Sequence, residues 1–330
     1  MMLPRVSVIW LNYNSMHVIN VIRKSLDALF GLDYPDYELI IVDNGSVDGS
    51  REFLRKYLKK ISKSSPDFKA IMLKKNLGFT GGVNIAYRMR NPKSKYVALV
   101  NNDAIPRPYY LRKLIKFLEE HKNVGAIQGI VSRLNETSII DSAGMFIDEV
   151  LNVYPIFVGK PINALTSPIY VSYVEGTMPV YRIDAIKHAL KDNDNMYVTE
   201  GFVYFLEDIF LSLMLWNQGY QCMVLPIISG RHYRMAAIKK FYKLINLPYY
   251  SLRNRMALLY MTNSRYKKGA ILKYLNRLII TKGGFARRET ILKALISGIK
   301  FGKILKEKYG VIDLYKAPLI KMPLKKRLLI

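Results

Sequence analysis

The chain has 330 residues, half of them apolar, and carries 51 Lys and Arg against 25 Asp and Glu, a net charge of +26. That much apolar surface excludes a disordered chain and supplies a core for one large α/β domain with an appendage, or for two domains. Cys222 is the single cysteine, which excludes an intrachain disulfide and a cysteine-based zinc site and suits a reducing compartment.

Residues 6–11 form a β-rich apolar run that meets Asn12, Tyr13, Asn14 and Ser15, and a helical pattern follows through Val18, Ile22, Leu26 and Leu29. The order repeats. An apolar strand over 38–42 reaches Asp43-Asn44-Gly45-Ser46, and Asp48-Gly49-Ser50 opens a helix carrying Phe53, Leu54 and Leu58. Residues 68–73 lead into Asn76-Leu77-Gly78-Phe79-Thr80-Gly81-Gly82-Val83-Asn84 and a short helix, and 96–100 form a fourth strand ahead of Asn101-Asn102-Asp103. An amphipathic stretch over 109–120 comes next. Strands without polar alternation, separated by helices, predict a mainly parallel central sheet with helices on both faces. Right-handed crossovers then bring the four polar strand ends to one rim, where ligands bind in open α/β sheets.

Each polar end has a plain structural reading beside a chemical one. Asp103 either caps the helix that follows Pro106 and Pro108 or holds a hard cation against a phosphate. Asp43 either shapes an Asp-Asn-Gly turn or accepts hydrogen bonds from a nucleotide's base or ribose. Gly78, Gly81 and Gly82 either form a flexible turn or let backbone amides approach phosphate. Glu207-Asp208 opens a helix buried through Leu211 and Leu215 and stopped by Gly219. Acids there complement the helix dipole, or take a proton from a hydroxyl in a cleft. No Gly-x4-Gly-Lys-Ser/Thr loop occurs, and no Gly-x-Gly-x-x-Gly follows the first strand, so ATPase and dinucleotide oxidoreductase readings lose support.

Taken in order, Val6-Ser7-Val8-Ile9 to Asn12-Tyr13-Asn14, Val42-Asp43-Asn44-Gly45-Ser46-Val47-Asp48-Gly49, Asn76-Leu77-Gly78-Phe79 to Gly82-Val83-Asn84, Asn101-Asn102-Asp103, and Glu207-Asp208 before Gly219-Tyr220 resemble a family 2 glycosyltransferase of GT-A, Rossmann-like fold. The resemblance covers roughly residues 4–260, including Arg253-Asn254-Arg255, which is similar to a segment of rhamnosyltransferase-like members. It implies an inverting transferase using a nucleotide-sugar donor (UDP-, dTDP- or GDP-linked) and a divalent cation, Mg²⁺ or Mn²⁺. Carried over residue by residue, Asn12, Tyr13, Asp43, Asn76, Gly78, Gly82, Asn84 and Asn102 would surround the nucleotide. Asp103 and His232 would bind the metal, Asp208 would be the general base with Glu207 orienting it, and Glu175 and Gly176 would line the acceptor side. The metal motif departs from the usual Asp-x-Asp, because Asn101 replaces its first carboxylate. The competing class is a non-catalytic nucleotide-binding or scaffold protein on the same fold. A nucleotidyltransferase is disfavoured for want of a triphosphate loop after the first strand.

Residues 235–330 hold 23 basic and 3 acidic side chains, so a boundary at 234/235 divides a catalytic domain (1–234) from a basic helical extension (235–330). Leu258, Leu259, Ile271, Leu272, Leu275, Leu278 and Ile279 cluster among Arg265, Lys267, Lys268, Lys273 and Arg277. Such helices lie on anionic membrane surfaces or form a helical subdomain with a solvated basic face. No window reaches the ~18 apolar residues of a spanning helix, and residues 1–12 do not read as a signal peptide. The expected location is therefore cytoplasmic and peripheral on the inner face of the cell membrane, with a glycan or lipid-linked acceptor. Tyr249 and Tyr250 stand among basic residues, yet no nucleic-acid signature accompanies them, and no nucleic-acid partner is expected.

Overall fold

A computed structural model describes residues 3–61, 66–191, 194–198, 206–234, 247–280 and 284–323. The expected domain boundary at 234/235 adjoins a stretch outside these residues, as do the side chains of Arg277, Leu278 and Ile279.

The strands are β1 (Val6–Asn12), β2 (Tyr37–Asp43), β3 (Asp67–Met72), β4 (Tyr96–Asn101), β5 (Ala104–Pro106), β6 (Val124–Arg133), β7 (Ile140–Ser142), β8 (Phe146–Ile147), β9 (Val153–Tyr154), β10 (Ile169–Tyr170), β11 (Val180–Arg182) and β12 (Gln221–His232). The helices are α1 (Ile19–Phe30), α2 (Ser50–Leu58), α3 (Gly78–Arg88), α4 (Tyr110–Glu120), α5 (Ile183–Ala189), α6 (Glu207–Asn217), α7 (Leu247–Met261), α8 (Lys267–Ile280) and α9 (Gly284–Tyr309). The main sheet runs β10-β12-β6-β11-β4-β1-β2-β3, with β5 on β12 and β7 on β6. Pairings of β4, β1, β2 and β3 are all parallel, whereas β11 enters antiparallel between β4 and β6.

Two core layers explain the strand sequences. Ile9, Ile40, Val42, Val97 and Leu99 face one layer, while Val8, Trp10, Leu39, Ile41 and Val100 face the other. Successive residues on a strand point to opposite faces, so a sheet covered on both sides needs apolar residues at nearly every position. Helices α1 and α4 cover the second layer through Ile22, Leu26, Leu29, Leu111, Leu114 and Ile115. The first layer is covered by α3, α5 and α6 and also by the C-terminal helices, through Met256, Leu258, Leu259, Leu295, Phe301 and Leu305.

That last packing corrects one expectation. Leu258 and Leu259 are fully buried, so neither is on a membrane-facing surface. Among the described residues of α8 and α9, the exposed large apolar side chains are Leu272 and Leu275 on α8 and Leu292, Ile296 and Ile304 on α9. No helix among the described residues is long and apolar enough to cross a membrane. Helix α6 is also more deeply set than the burial expected through Leu211 and Leu215 implies, with every residue from 209 to 215 buried.

Candidate active site

Parallel register carries the polar ends to one rim, where Asn12 ends β1 directly beside Asp43 at the end of β2. Asp43 is fully buried. It accepts hydrogen bonds from Asn12 Nδ2 at 2.9 Å and the Ser46 amide at 3.1 Å, and it pairs with Arg51 Nε at 2.8 Å. A buried carboxylate requires such partners. Arg51, the second residue of α2, was not marked by the sequence pattern. Its role becomes visible only when α2 folds back over the end of β2. Asn12 is held through Ser46 and Ser50, both within 3.2 Å of its Nδ2, and Asn102 Nδ2 reaches Asn12 Oδ1 at 3.4 Å. Tyr13 follows at the partly exposed rim.

The glycine-bearing turn closes on this corner. Asn44 Nδ2 donates to Asn76 Oδ1 at 3.0 Å and to the Gly78 carbonyl at 2.9 Å. Gly78 has φ +75°, a left-handed conformation that glycine adopts without a Cβ clash. A Cβ at Gly82 would lie 2.6 Å from Leu11, so Gly82 serves close packing of α3 on β1. Asn84 is fully buried and commits its carboxamide to the chain at 196–197: Nδ2 donates to the Tyr197 carbonyl and Oδ1 accepts from the Met196 and Tyr197 amides. Asn12, Asp43, Asn76, Gly78 and Asn102 therefore meet around one corner, while Gly82 and Asn84 support it from within.

Beyond β4 the chain turns at Asn102-Asp103 into β5, which runs antiparallel to β12 and sets Ala104 opposite His232. Asp103 and His232, 129 residues apart, thereby come together with Asp103 Oδ1 3.0 Å from His232 Nε2. The other ring nitrogen, Nδ1, lies 2.8 Å from Asp141 Oδ2. Burial disfavours a charged imidazole here, but Asp103 and Asp141 outweigh it and push the His232 pKa up to about 10. Asp141 also pairs with Arg234 Nε at 2.9 Å, and Arg234 Nη2 reaches Glu175 Oε1 at 3.1 Å. The chain of charges runs Asp103, His232, Asp141, Arg234, Glu175. Asp141 and Arg234 carried no sequence signal, being one polar residue in a three-residue edge strand and one base in a basic chain.

No cluster of three acidic, histidine or cysteine side chains among the described residues converges on a single metal-binding point. The residues present nevertheless fit a hard cation bound jointly with a substrate. Asp103 Oδ1 and His232 Nε2 stand at the separation of neighbouring ligands on one ion with bonds of about 2.1 Å, and such ions commonly take one or two protein ligands plus phosphate oxygens. To hold such an ion, His232 would have to present Nε2 unprotonated, with its lone pair free for ligation.

At the second acidic site, Leu206 adopts φ +67° and starts α6 at Glu207-Asp208. Asp208 Oδ1 accepts from the Ile209 amide at 2.8 Å, and the Gly176 amide also stabilises its charged form. Glu207 Oε2 is shut off from solvent without a hydrogen-bond partner among the described residues. Both carboxyl pKa values are raised. Burial is the main cause in each case, reinforced by Asp208 at Glu207 and by Glu175 at Asp208. Tyr173 and Tyr181 feel the Asp208 charge and are themselves held neutral by burial. Gly176 faces open space where a Cβ would point, which leaves room beside Asp208.

A parallel α/β rim that gathers carboxylates at its strand ends, opposite a buried acidic pair on a helix start, defines a GT-A-type glycosyltransferase scaffold. The chain belongs to glycosyl transferase family 2, whose sequence profile matches residues 7–190. Its relatives include an uncharacterised glycosyltransferase of Haemophilus influenzae, 31% identical over 124 residues, 38% of this chain and 36% of that protein. A poly-beta-1,6-N-acetyl-D-glucosamine synthase of Staphylococcus epidermidis is 25% identical over 122 residues, 36% of this chain and 27% of the synthase. The chain thus spans well under half the length of these curated relatives. Among solved structures, the mannosyltransferase PcManGT from Pyrobaculum calidifontis, in complex with GDP-Man and Mn²⁺, superposes with a TM-score of 0.50 at 16% identity, covering 91% of this chain and 73% of that one. S. aureus TarS 1–349 with UDP also scores 0.50, at 20% identity, covering 90% of this chain and 80% of its own. These likenesses establish the fold.

Proposed function

We propose that the protein transfers a hexosyl or deoxyhexosyl unit, with inversion, from a UDP-, dTDP- or GDP-sugar to a hydroxyl of a glycan or lipid-linked acceptor. The observation that supports this reading most is the raised carboxyl of Asp208, which meets the Gly176 amide and is linked through Glu175, Arg234 and Asp141 to the Asp103–His232 pair. The nucleotide lies over the corner formed by Asn12, Asp43 and Asn102. Asp103 and His232 would hold a Mg²⁺ or Mn²⁺ ion, which would supply positive charge to the diphosphate leaving group. Asp208 accepts the proton of the acceptor hydroxyl as that oxygen attacks the sugar C1. The C1–oxygen bond to phosphate breaks, and the nucleoside diphosphate leaves with the bonding pair. One displacement on one carbon inverts its configuration. Glu207, kept protonated by burial, orients Asp208 without competing for the proton, while Glu175 and Gly176 border the acceptor.

The C-terminal region adds a location. Leu292, Ile296 and Ile304 fall within roughly 120° of the circumference of α9, interleaved with Lys293 and Lys300, and all three apolar residues are exposed. An anionic membrane surface at the inner face of the cell membrane suits this combination of apolar and basic side chains.

The test is nucleoside diphosphate release from a panel of nucleotide sugars, with and without Mn²⁺ or Mg²⁺, in the presence of lipid extract. Metal-dependent release with one donor, lost in Asp208→Asn, is expected. Nucleotide binding without release across the panel and a range of acceptors would favour a binding or scaffold protein.

A further inference from the structure

Asp141 lies on the short edge strand β7, is 2% exposed, and uses both carboxylate oxygens within the site. Oδ2 faces His232 Nδ1 at 2.8 Å, and Oδ1 pairs with Arg234 Nε at 2.9 Å. Arg234 Nη2 also donates to the Asp141 carbonyl oxygen at 2.9 Å, so the guanidinium grips both the side chain and the backbone of Asp141 as well as Glu175. The neighbouring Ser142 Oγ accepts from Gln128 Nε2 at 2.8 Å, and Gln128 Oε1 accepts from the Glu175 amide at 2.8 Å. Strand β7 is thereby anchored at Asp141 and at the residue that follows it.

We propose that Asp141 is a positioning residue that holds the imidazole of His232 with Nε2 turned toward the cation corner. The inference rests on the reading of Asp103 and His232 as cation ligands. A carboxylate can only accept, so it takes the Nδ1–H and leaves Nε2 as the nitrogen that meets the ion. Arg234 supplies the counter-charge to the buried carboxylate, since an unpaired charge at this depth would carry a large desolvation cost. The ring cannot flip without breaking the bond to Asp141, so the donor nitrogen stays where Asp103 can share its ion. Outer-shell carboxylates of this kind typically change metal affinity or activity by about 10- to 100-fold when removed.

The experiment measures Mn²⁺ binding to the full chain by electron paramagnetic resonance, using Mn²⁺ as the probe, alone and with UDP, dTDP or GDP added, for wild type, Asp141→Ala, Asp141→Asn and Asp103→Ala. Thermal unfolding of each variant is followed in parallel. Asp141→Ala is expected to bind Mn²⁺ about 10- to 100-fold more weakly. Asp141→Asn, whose amide oxygen still accepts from Nδ1–H, is expected to recover part of that loss while unfolding near the wild-type temperature. An affinity within about threefold of wild type in a folded Asp141→Ala overturns the inference. If the alanine variant does not fold, an asparagine variant indistinguishable from wild type does so instead. Asp103→Ala separates the two levels of argument. Should it lose Mn²⁺ while the Asp141 variants keep it, only the positioning role falls; should wild type itself bind no Mn²⁺, either alone or with UDP, dTDP or GDP added, the cation reading falls and takes this inference with it.

Discussion

Asp43 and Arg51 form a buried ion pair, Oδ2 to Nε at 2.8 Å, with the Asp43 side chain wholly covered and Arg51 18% exposed. The pair joins the end of β2 to the first turns of α2 and holds the carboxylate in the corner assigned to the nucleotide. Removing the guanidinium in Arg51→Ala leaves a buried charge supported only by Asn12 and the Ser46 amide. A stability loss of about 2–4 kcal/mol is expected, with weaker nucleotide binding, measured by denaturant unfolding and by nucleotide titration. Unchanged values in both would remove Arg51 from the site.

Asp208→Asn keeps the size and the hydrogen bond from the Ile209 amide but cannot take a proton. Turnover should fall by a factor of about 10²–10⁴, the usual contribution of a general base, with nucleotide affinity and unfolding temperature near wild type. In wild type the raised Asp208 pKa predicts an acid limb in kcat well above the ordinary carboxylate value of about 4. Activity rises with pH through that limb as the base deprotonates. A limb at the ordinary carboxylate value, or a variant with near-normal turnover, would sink the assignment.

The strands and the strand-end carboxylates were legible because each depends on a local rule. A strand buried on both faces, such as β1 or β2, is an unbroken apolar run, and its end is marked by the first polar residues. The partners of those carboxylates depend on contacts between distant segments instead. Asp141 meets His232 across 91 residues, and Arg234 is one of 51 basic residues with nothing local to distinguish it. The C-terminal leucines misled for a related reason. Helical periodicity shows that a face is apolar, but the element that covers Leu258 and Leu259 is the core of the catalytic fold, which no local pattern names.

Gly45 fixes the turn after β2 by necessity. Its φ is +82°, and a Cβ would lie 2.5 Å from the Lys75 carbonyl carbon and 2.6 Å from the Asn76 nitrogen, both backbone atoms. Gly45→Ala therefore adds a left-handed strain to a clash that flexible side chains cannot relieve. A loss of roughly 2 kcal/mol or more is expected in denaturant unfolding, with nucleotide affinity reduced because Asn44 and Asn76 separate. A neutral substitution would mean that this turn is not held as described.

The acidic pair predicts a stability cost that appears as pH rises. Glu207 has a folded pKa raised above its unfolded value, by burial first and by Asp208 second, so the folded state holds its proton more tightly. Between the unfolded and folded values the native protein binds more protons, and stability therefore falls with increasing pH across that window. Glu207→Gln removes the titration. The variant should be more stable than wild type by about 1–3 kcal/mol above the folded pKa, a difference that disappears below about pH 4. Parallel curves at all pH values would show that Glu207 is not held in this environment.

The proposed membrane attachment makes a prediction separable from catalysis. Leu292 and Ile296, 44% and 48% exposed on α9, stand one turn apart beside Lys293 and Lys300. Insertion of these apolar side chains, with the lysines at the phosphate level, requires both a hydrophobic boundary and negative lipid charge. The full chain should cosediment with phosphatidylglycerol-containing vesicles, lose that binding as salt is raised, and bind pure phosphatidylcholine vesicles weakly. The double change Leu292→Asp with Ile296→Asp should lower the vesicle partition by about tenfold or more while leaving the unfolding temperature near wild type, because both side chains already face solvent. Binding that follows charge alone, unaffected by the double change, would assign the contact to the basic surface and exclude α9 insertion.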